Sequence, residues 1–109
     1  MISHKELEQF LLSLPRAELS YPFGEEAAVY KVDDKMFAIV KEKSDPLQVS
    51  LKCDPQLATM LRERYETVLP GYHLNKKHWN TVVLTGQLNW QEVQDLIRHS
   101  YQLVTNANN

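Results

Sequence analysis

The ten residues from 71 to 80 are the part of this sequence best suited to chemistry. They combine two lysines, two histidines, two aromatic residues and two asparagines. Lysines neutralise phosphates, asparagine amides hydrogen-bond to base edges, and aromatic rings stack on unpaired bases for about 1–3 kcal/mol each. We expect Lys76 and Lys77 to bind phosphates. The residues expected to contact bases or sugars are His73, Asn75 and Trp79.

The same segment also has a simpler interpretation. Asn75, Lys76 and Lys77 could form an ordinary solvated turn, and Trp79 could anchor a hairpin to the core. The charge distribution keeps the nucleic-acid interpretation open, because residues 1–34 hold 3 basic and 7 acidic groups, residues 35–80 hold 8 and 5, and residues 81–109 hold 1 and 2. The middle of the chain is therefore positive, although only modestly so.

Length and composition limit the classes of protein. A chain of 109 residues suits one domain, residues 1–109, and its 43% apolar and 24% charged residues are typical of a folded protein. The net charge of −2 excludes a uniformly basic DNA coater. The first residues do not form a signal peptide, and no apolar run is long enough to span a membrane, so we expect a cytoplasmic protein that is by default a monomer.

The sequence offers little support for an enzyme or a metal site. The spacing of His73 and His78 matches no common zinc pattern. Cys53 is the single cysteine, and its place on the apolar side of a strand, beside Asp54, favours an inert packed thiol. The acidic pairs of the chain fall at predicted turns. We therefore expect no catalytic residues, no cofactor and no metal.

Capping patterns predict three helices. Ser3 with Glu6 is typical of a helix start, and Asn89 with Glu92 repeats the pattern before the last helix. Asp54 followed by proline predicts the start of the middle helix, because aspartate caps free amides and proline fits the first helical turn. The expected buried stripe of this helix is Leu57, Met60, Leu61 and Tyr65.

Five strands complete the expected fold. The first three span residues 28–32, 35–41 and 47–53. The last two span residues 72–74 and 81–84. Asp33-Asp34 predicts a tight hairpin turn, and the polar residues 75–80 form the tip of the second hairpin. The predicted order is α-β-β-β-α-β-β-α, an α+β domain with an antiparallel sheet packed by helices.

Seven stretches of the chain share their residues with a known family. They are Tyr21-Pro-Phe-Gly24, Val29-Tyr-Lys-Val32, Lys35-Met-Phe-Ala38, Leu51-Lys-Cys-Asp-Pro55, Leu61-Arg-Glu-Arg-Tyr65, Pro70-Gly-Tyr-His-Leu-Asn-Lys-Lys-His-Trp-Asn-Thr81 and Ser100-Tyr101. The match runs from about residue 3 to residue 104, and the stretch from 70 to 81 is long enough to be specific. On these residues the chain resembles the MmcQ/YjbR family of small bacterial proteins.

The resemblance implies a compact α+β fold related to secretion-chaperone-like folds. It also implies a DNA-binding role in which two hairpins, residues 29–40 and 72–84, act as wings. The contact residues would be Lys52, His73, Asn75, Lys76, Lys77 and Trp79. Relatives often carry glycine where this chain has Asp33-Asp34, and an acidic turn repels phosphate, which argues against DNA contact by the first wing.

The leading hypothesis is a non-enzymatic DNA-binding protein that uses residues 71–80. The alternative is a chaperone-like protein-interaction module that presents its sheet or the tip to an unidentified partner protein. An enzyme or small-ligand site built from Tyr72, His73 and His78 would require a closed pocket lined by those side chains. The exposure of Trp79 helps to decide among these hypotheses. A buried indole would favour the simpler interpretation, in which Trp79 anchors the hairpin to the core.

Overall fold

Among the described residues, 2–71 and 74–106, six antiparallel strands form one sheet and three helices accompany it. The structure is a computed structural model. Its elements are α1 (His4–Ser13), β1 (Glu18–Ser20), β2 (Ala27–Val32), β3 (Lys35–Lys41), β4 (Gln48–Lys52), α2 (Pro55–Arg64), β5 (Val68–Pro70), β6 (Trp79–Val83) and α3 (Trp90–Thr105).

The strands lie in the order β1-β2-β3-β4-β6-β5 across the sheet. β6 pairs with β4 on one side and with β5 on the other, so β5 becomes an edge strand. The predicted α+β class and the predicted order of elements are confirmed. The sheet adds one strand that was not predicted, β1, whose three residues are too few to show an alternating pattern.

The second hairpin differs from its prediction in the described residues. Its second strand begins at Trp79 rather than residue 81, and it pairs with a strand at Val68–Pro70. Of the predicted strand 72–74, only Leu74 is described, and it lies outside any strand. Pro70 has no N–H to donate, and it is tolerated here because β5 lies at the edge of the sheet. Tyr72 and His73 lie outside the described residues.

The predicted helix starts are confirmed. The side chain of Asp54 accepts from two amides of the first turn of α2, and Asn89 and Glu92 form a reciprocal capping box before α3. The predicted buried stripe of α2 is wrong at Met60, which is 54% exposed. Ala58 is the fully buried residue of this helix, because α2 faces β6 at this position. The side-chain amide of Asn80 in β6 donates to the carbonyl of Ala58 at 3.2 Å.

The tight turn between β2 and β3 forms as predicted at Asp33 and Asp34. Both residues have positive φ, 51° and 63°, which is the backbone required by a two-residue turn that follows the twist of its strands. Aspartate tolerates this conformation better than most residues. Arg16 pairs with Asp33 of this turn at 3.2 Å, and both side chains are exposed.

The core lies between the sheet and the helices, with α3 packed on β2, β3 and β4. A buried hydroxyl joins α3 to the sheet at the point where the ladder between β3 and β4 stops. Ser100 Oγ accepts from the Lys52 N–H at 2.9 Å and donates to the Phe37 carbonyl. The residues just beyond the last paired rung therefore obtain hydrogen bonds from α3 instead of from each other. None of the helices in the described ranges is long and apolar enough to cross a membrane.

Strand direction determines which turns share an end of the sheet. Lys52, the last residue of β4, lies opposite Trp79, the first residue of β6. Residues 74–78, here called the tip, therefore leave the sheet from the same end as the turn at 33–34. Residues 21–26 leave from the opposite end, beside the edge strand β1.

Candidate nucleic-acid interface

The tip is held in shape by short-range hydrogen bonds. The Asn75 side-chain oxygen accepts from the Lys77 N–H at 2.9 Å, and the Asn75 carbonyl accepts from the His78 N–H at 3.1 Å. At its base the Gly71 N–H donates to the Trp79 carbonyl at 2.9 Å. A Cβ on Gly71 would lie 2.7 Å from the Cβ of Trp79, so glycine is required for this close approach. The side-chain oxygen of Asn75 is thus already engaged in the turn.

Trp79 lies within the sheet and not on the tip surface. It is only 7% exposed and pairs with Lys52 across β4 and β6. An indole buried to this degree offers no free face on which a base could stack. Its environment supports the anchoring role weighed in the sequence analysis.

Lys76 and Lys77 are exposed, and a third cation lies beside them on α2. The Arg62 guanidinium donates through Nη1 to the Lys76 carbonyl at 3.2 Å and through Nε to the Ala58 carbonyl at 3.3 Å. Arg62 therefore fixes the tip against the helix. Two of its five donors are used in these bonds, which leaves the others for a further acceptor.

A groove of about 520 Å³ separates α2 from the tip. It is lined by Pro55, Gln56, Thr59, Arg62 and Lys77. Cations stand on both walls, Arg62 from the helix and Lys77 from the tip, and polar side chains of α2 lie between them. Such a groove suits an anion with several oxygen acceptors, as in a phosphodiester backbone.

The N-terminus of α2 offers fewer free N–H groups to an anion in this groove than an uncapped helix end would. The Asp54 carboxylate accepts from the N–H groups of Gln56 and Leu57 at 3.1 and 3.2 Å. These amides are therefore occupied by a negatively charged side chain of the protein. Any phosphate bound here must be held mainly by side-chain cations.

Lys52 lies apart from the groove. It is half-buried at the end of β4, on the same face of the sheet as Trp79. The first hairpin turn, at Asp33 and Asp34, projects from the same end of the sheet as the tip but carries the opposite sign of charge. Of the predicted contact residues that the structure describes, Lys77 lines the groove and Lys52 does not, and His73 lies outside the described residues.

Arg62 is not among the residues predicted to form the site, although it belongs to the positive middle of the chain, residues 35–80. A signal for it was present, because Gln56, Thr59 and Arg62 follow at intervals of three and so share one face of α2. What the spacing could not show is that this face meets the tip. That contact depends on β6 pairing with β4, a long-range feature.

The described residues at this end of the molecule give little support for a reactive cysteine or a metal site. Cys53 is buried, and its pKa is raised to about 11. Burial is the main cause and the negative charge of Asp54 adds to it, while the positive charge of Arg62 acts in the opposite direction. A thiol of this kind is unreactive at neutral pH. Its N–H donates to the His78 carbonyl at 2.7 Å, and His78 is half-buried and does not line the groove. In the ranges that the structure describes, no three His, Cys, Asp or Glu side chains are grouped to hold a metal ion.

Comparison with known proteins gives a consistent set of relatives. The family model described as YjbR matches residues 12–103. The chain is 43% identical over 101 residues to YjbR of Escherichia coli K12, described as an uncharacterized protein, covering 93% of this chain and 86% of that one.

Solved structures agree in fold. Protein DR2400 of Deinococcus radiodurans, with a DUF419 domain, has a TM-score of 0.91 and 39% identity, covering 96% of this chain and 80% of that one. A protein from Pseudomonas syringae has a TM-score of 0.80 and 28% identity, covering 94% of this chain and 98% of that one. None of these descriptions includes an enzymatic activity.

Proposed function

We propose that this chain, which belongs to the YjbR family, is a non-enzymatic DNA-binding protein that contacts the phosphate backbone through its tip and α2. One observation carries the proposal. Lys77 and Arg62 stand on opposite walls of a groove of about 520 Å³, and the exposed Lys76 lies beside Lys77 in the tip. The role also requires the cytoplasmic location expected from the sequence.

The expected mode of binding is electrostatic. The indole of Trp79 is buried, so it has no free face for stacking. The side-chain oxygen of Asn75 already accepts from the Lys77 N–H, although Asn75 itself is exposed. Contacts to phosphates fix position on DNA but carry no sequence information. We therefore propose binding with weak sequence preference.

Fluorescence anisotropy over a salt series tests this role. Three cations that neutralise three phosphates give a slope of log affinity against log salt of about −2.7 on duplex DNA, because each contact contributes about −0.9. Affinity should then fall about 40-fold between 50 and 200 mM salt. Lys76→Ala combined with Lys77→Ala should reduce the slope to about −0.9.

The matched control is Lys41→Ala combined with Lys43→Ala. These lysines are also exposed, but Lys41 ends β3 and Lys43 follows it, at the end of the sheet opposite the tip, so the double variant should keep the original slope. A lack of binding at 50 mM salt, or equal slopes for the two double variants, would refute the proposal.

The alternative role, a protein-interaction module that presents its sheet or the tip, rests on the chaperone-like fold that the resemblance implies. Trp79 is the residue of the tip hairpin that would test it, since tryptophan is frequent among the residues that dominate interfaces. With the indole buried, Trp79 cannot supply that contact. The exposed groups of the tip are cationic and polar, which favours a polyanion over an apolar protein surface.

A further inference from the structure

The turn at residues 21–26 exposes two aromatic rings close together. Phe23 is 69% exposed and Tyr21 is 46% exposed. They are two of the five large hydrophobic side chains identified as exposed in the described ranges. Single exposed apolar residues are common on proteins, but two rings within three residues form a local patch.

This patch is presented by an ordered turn. The Gly24 N–H donates to the Tyr21 carbonyl at 3.2 Å, and the Ala27 N–H donates to the Gly24 carbonyl at 3.4 Å. Pro22 fixes its own φ, and Gly24 has a φ of +107° that other residues rarely adopt. A Cβ on Gly24 would meet no atom within 4 Å, so the glycine serves backbone conformation and not close packing. A pre-formed turn loses little conformational entropy when it binds a partner.

Two exposed carboxylates, Glu25 and Glu26, follow the rings directly in the chain. Glu18 lies at the other end of β1, opposite Lys31. The exposed lysines at this end of the sheet are Lys41, which pairs with Ala27, and Lys43.

Two further carboxylates act on the turn from other elements, Glu8 from α1 and Glu42 from the end of β3. The pKa of Tyr21 is raised by desolvation and then by the charges of Glu42 and Glu8. The Glu42 N–H donates to the Glu26 carbonyl at 2.9 Å, which fixes the end of β3 beside the turn. His4 pairs with Glu42 at 2.6 Å and is the basic group that faces this carboxylate from α1.

We propose that residues 21–26 form a docking site for an arginine-containing basic segment of a partner polypeptide. Guanidinium groups stack on the rings of Tyr21 and Phe23, and the carboxylates of Glu25 and Glu26 pair with the same groups. Aromatic faces attract cations, and arginine is the cation most often found on them. Charge complementarity selects this occupant over DNA, which the acidic turn repels.

Titration of the ¹⁵N-labelled protein with a blocked twelve-residue peptide of alternating arginine and glycine tests this site. We expect saturable shifts centred on residues 21–26. Phe23→Ala should weaken binding about 5- to 30-fold, the range of a partly desolvated cation–π contact with its packing. Glu25→Gln with Glu26→Gln should also weaken it and flatten its dependence on salt.

Matched controls separate a built site from general attraction to an acidic protein. Glu63→Gln with Glu66→Gln removes two exposed carboxylates near the end of α2, and Met60→Ala removes an exposed apolar side chain of that helix. Neither should change the affinity for the peptide. Shifts scattered over the acidic surface, or an affinity unaffected by Phe23→Ala in a folded variant, would overturn the proposal. Self-association that depends on Phe23, seen by analytical ultracentrifugation, would overturn it by showing a second copy as the occupant.

Discussion

Replacing Ser100 with alanine tests how α3 completes the sheet. Ser100 is fully buried, and its hydroxyl accepts from the Lys52 N–H and donates to the Phe37 carbonyl. Alanine removes both bonds at once while adding no bulk. Each buried backbone group left unpaired costs about 1–3 kcal/mol, and Lys52 is only half-buried, so we expect Ser100→Ala to lower the free energy of unfolding by about 2–3 kcal/mol.

Urea unfolding followed by circular dichroism measures this loss. For a small domain with a slope of about 1–3 kcal/mol per molar urea, the midpoint should fall by about 0.7–3 M. Ser13→Ala is the control, because the hydroxyl of Ser13 donates to one carbonyl at the exposed end of α1 and its loss should cost less than about 0.5 kcal/mol. Hydrogen exchange of the Lys52 amide should accelerate in Ser100→Ala alone. Equal midpoints for the two variants, with unchanged exchange at Lys52, would refute the bridging role of Ser100.

Three further predictions concern backbone conformation and one buried thiol. Asp34→Gly should raise the thermal midpoint by relieving a φ of 63°, a gain of up to about 1 kcal/mol, and a lower midpoint would contradict this. Gly71→Ala should destabilise the fold by about 1–3 kcal/mol in urea, because its Cβ would lie 2.7 Å from that of Trp79, and an unchanged midpoint would contradict the close approach. The Cys53 pKa is raised to about 11 in the folded protein, so between about pH 9 and 11 the folded state keeps a proton that the unfolded chain loses. The free energy of unfolding should therefore fall as the pH rises through this range. Cys53→Ala should reduce that fall in urea midpoints, and identical pH profiles would show that the thiol does not contribute.

The features predicted from sequence are those that neighbouring residues determine. The capping box of Asn89 and Glu92 and the helix start at Asp54 depend on hydrogen bonds within three residues. The turn at Asp33-Asp34 likewise depends on its own backbone and the strands on either side. Caps and tight turns of this kind can be recognised from the sequence wherever the helix or hairpin lies in the fold.

The features that were not predicted depend on contacts far apart in the chain. β1 exists because it pairs with β2, and three residues carry no pattern of their own. The burial of Trp79, one of two interpretations that the sequence left open, follows from the place of β6 between β4 and β5. The position of Arg62 at the tip has the same origin, and His73 lies outside the described residues and stays a prediction.

The strand order sets the basic tip and the acidic aromatic turn at diagonally opposite corners of the sheet. The tip joins β5 to β6 at one end, and residues 21–26 join β1 to β2 at the other end and the other edge. In a molecule of 33 × 32 × 26 Å these two corners face away from each other. A polyanion bound at the tip therefore leaves residues 21–26 open to solvent. Two ligands of opposite charge could then be held together by one chain without competing for the same surface.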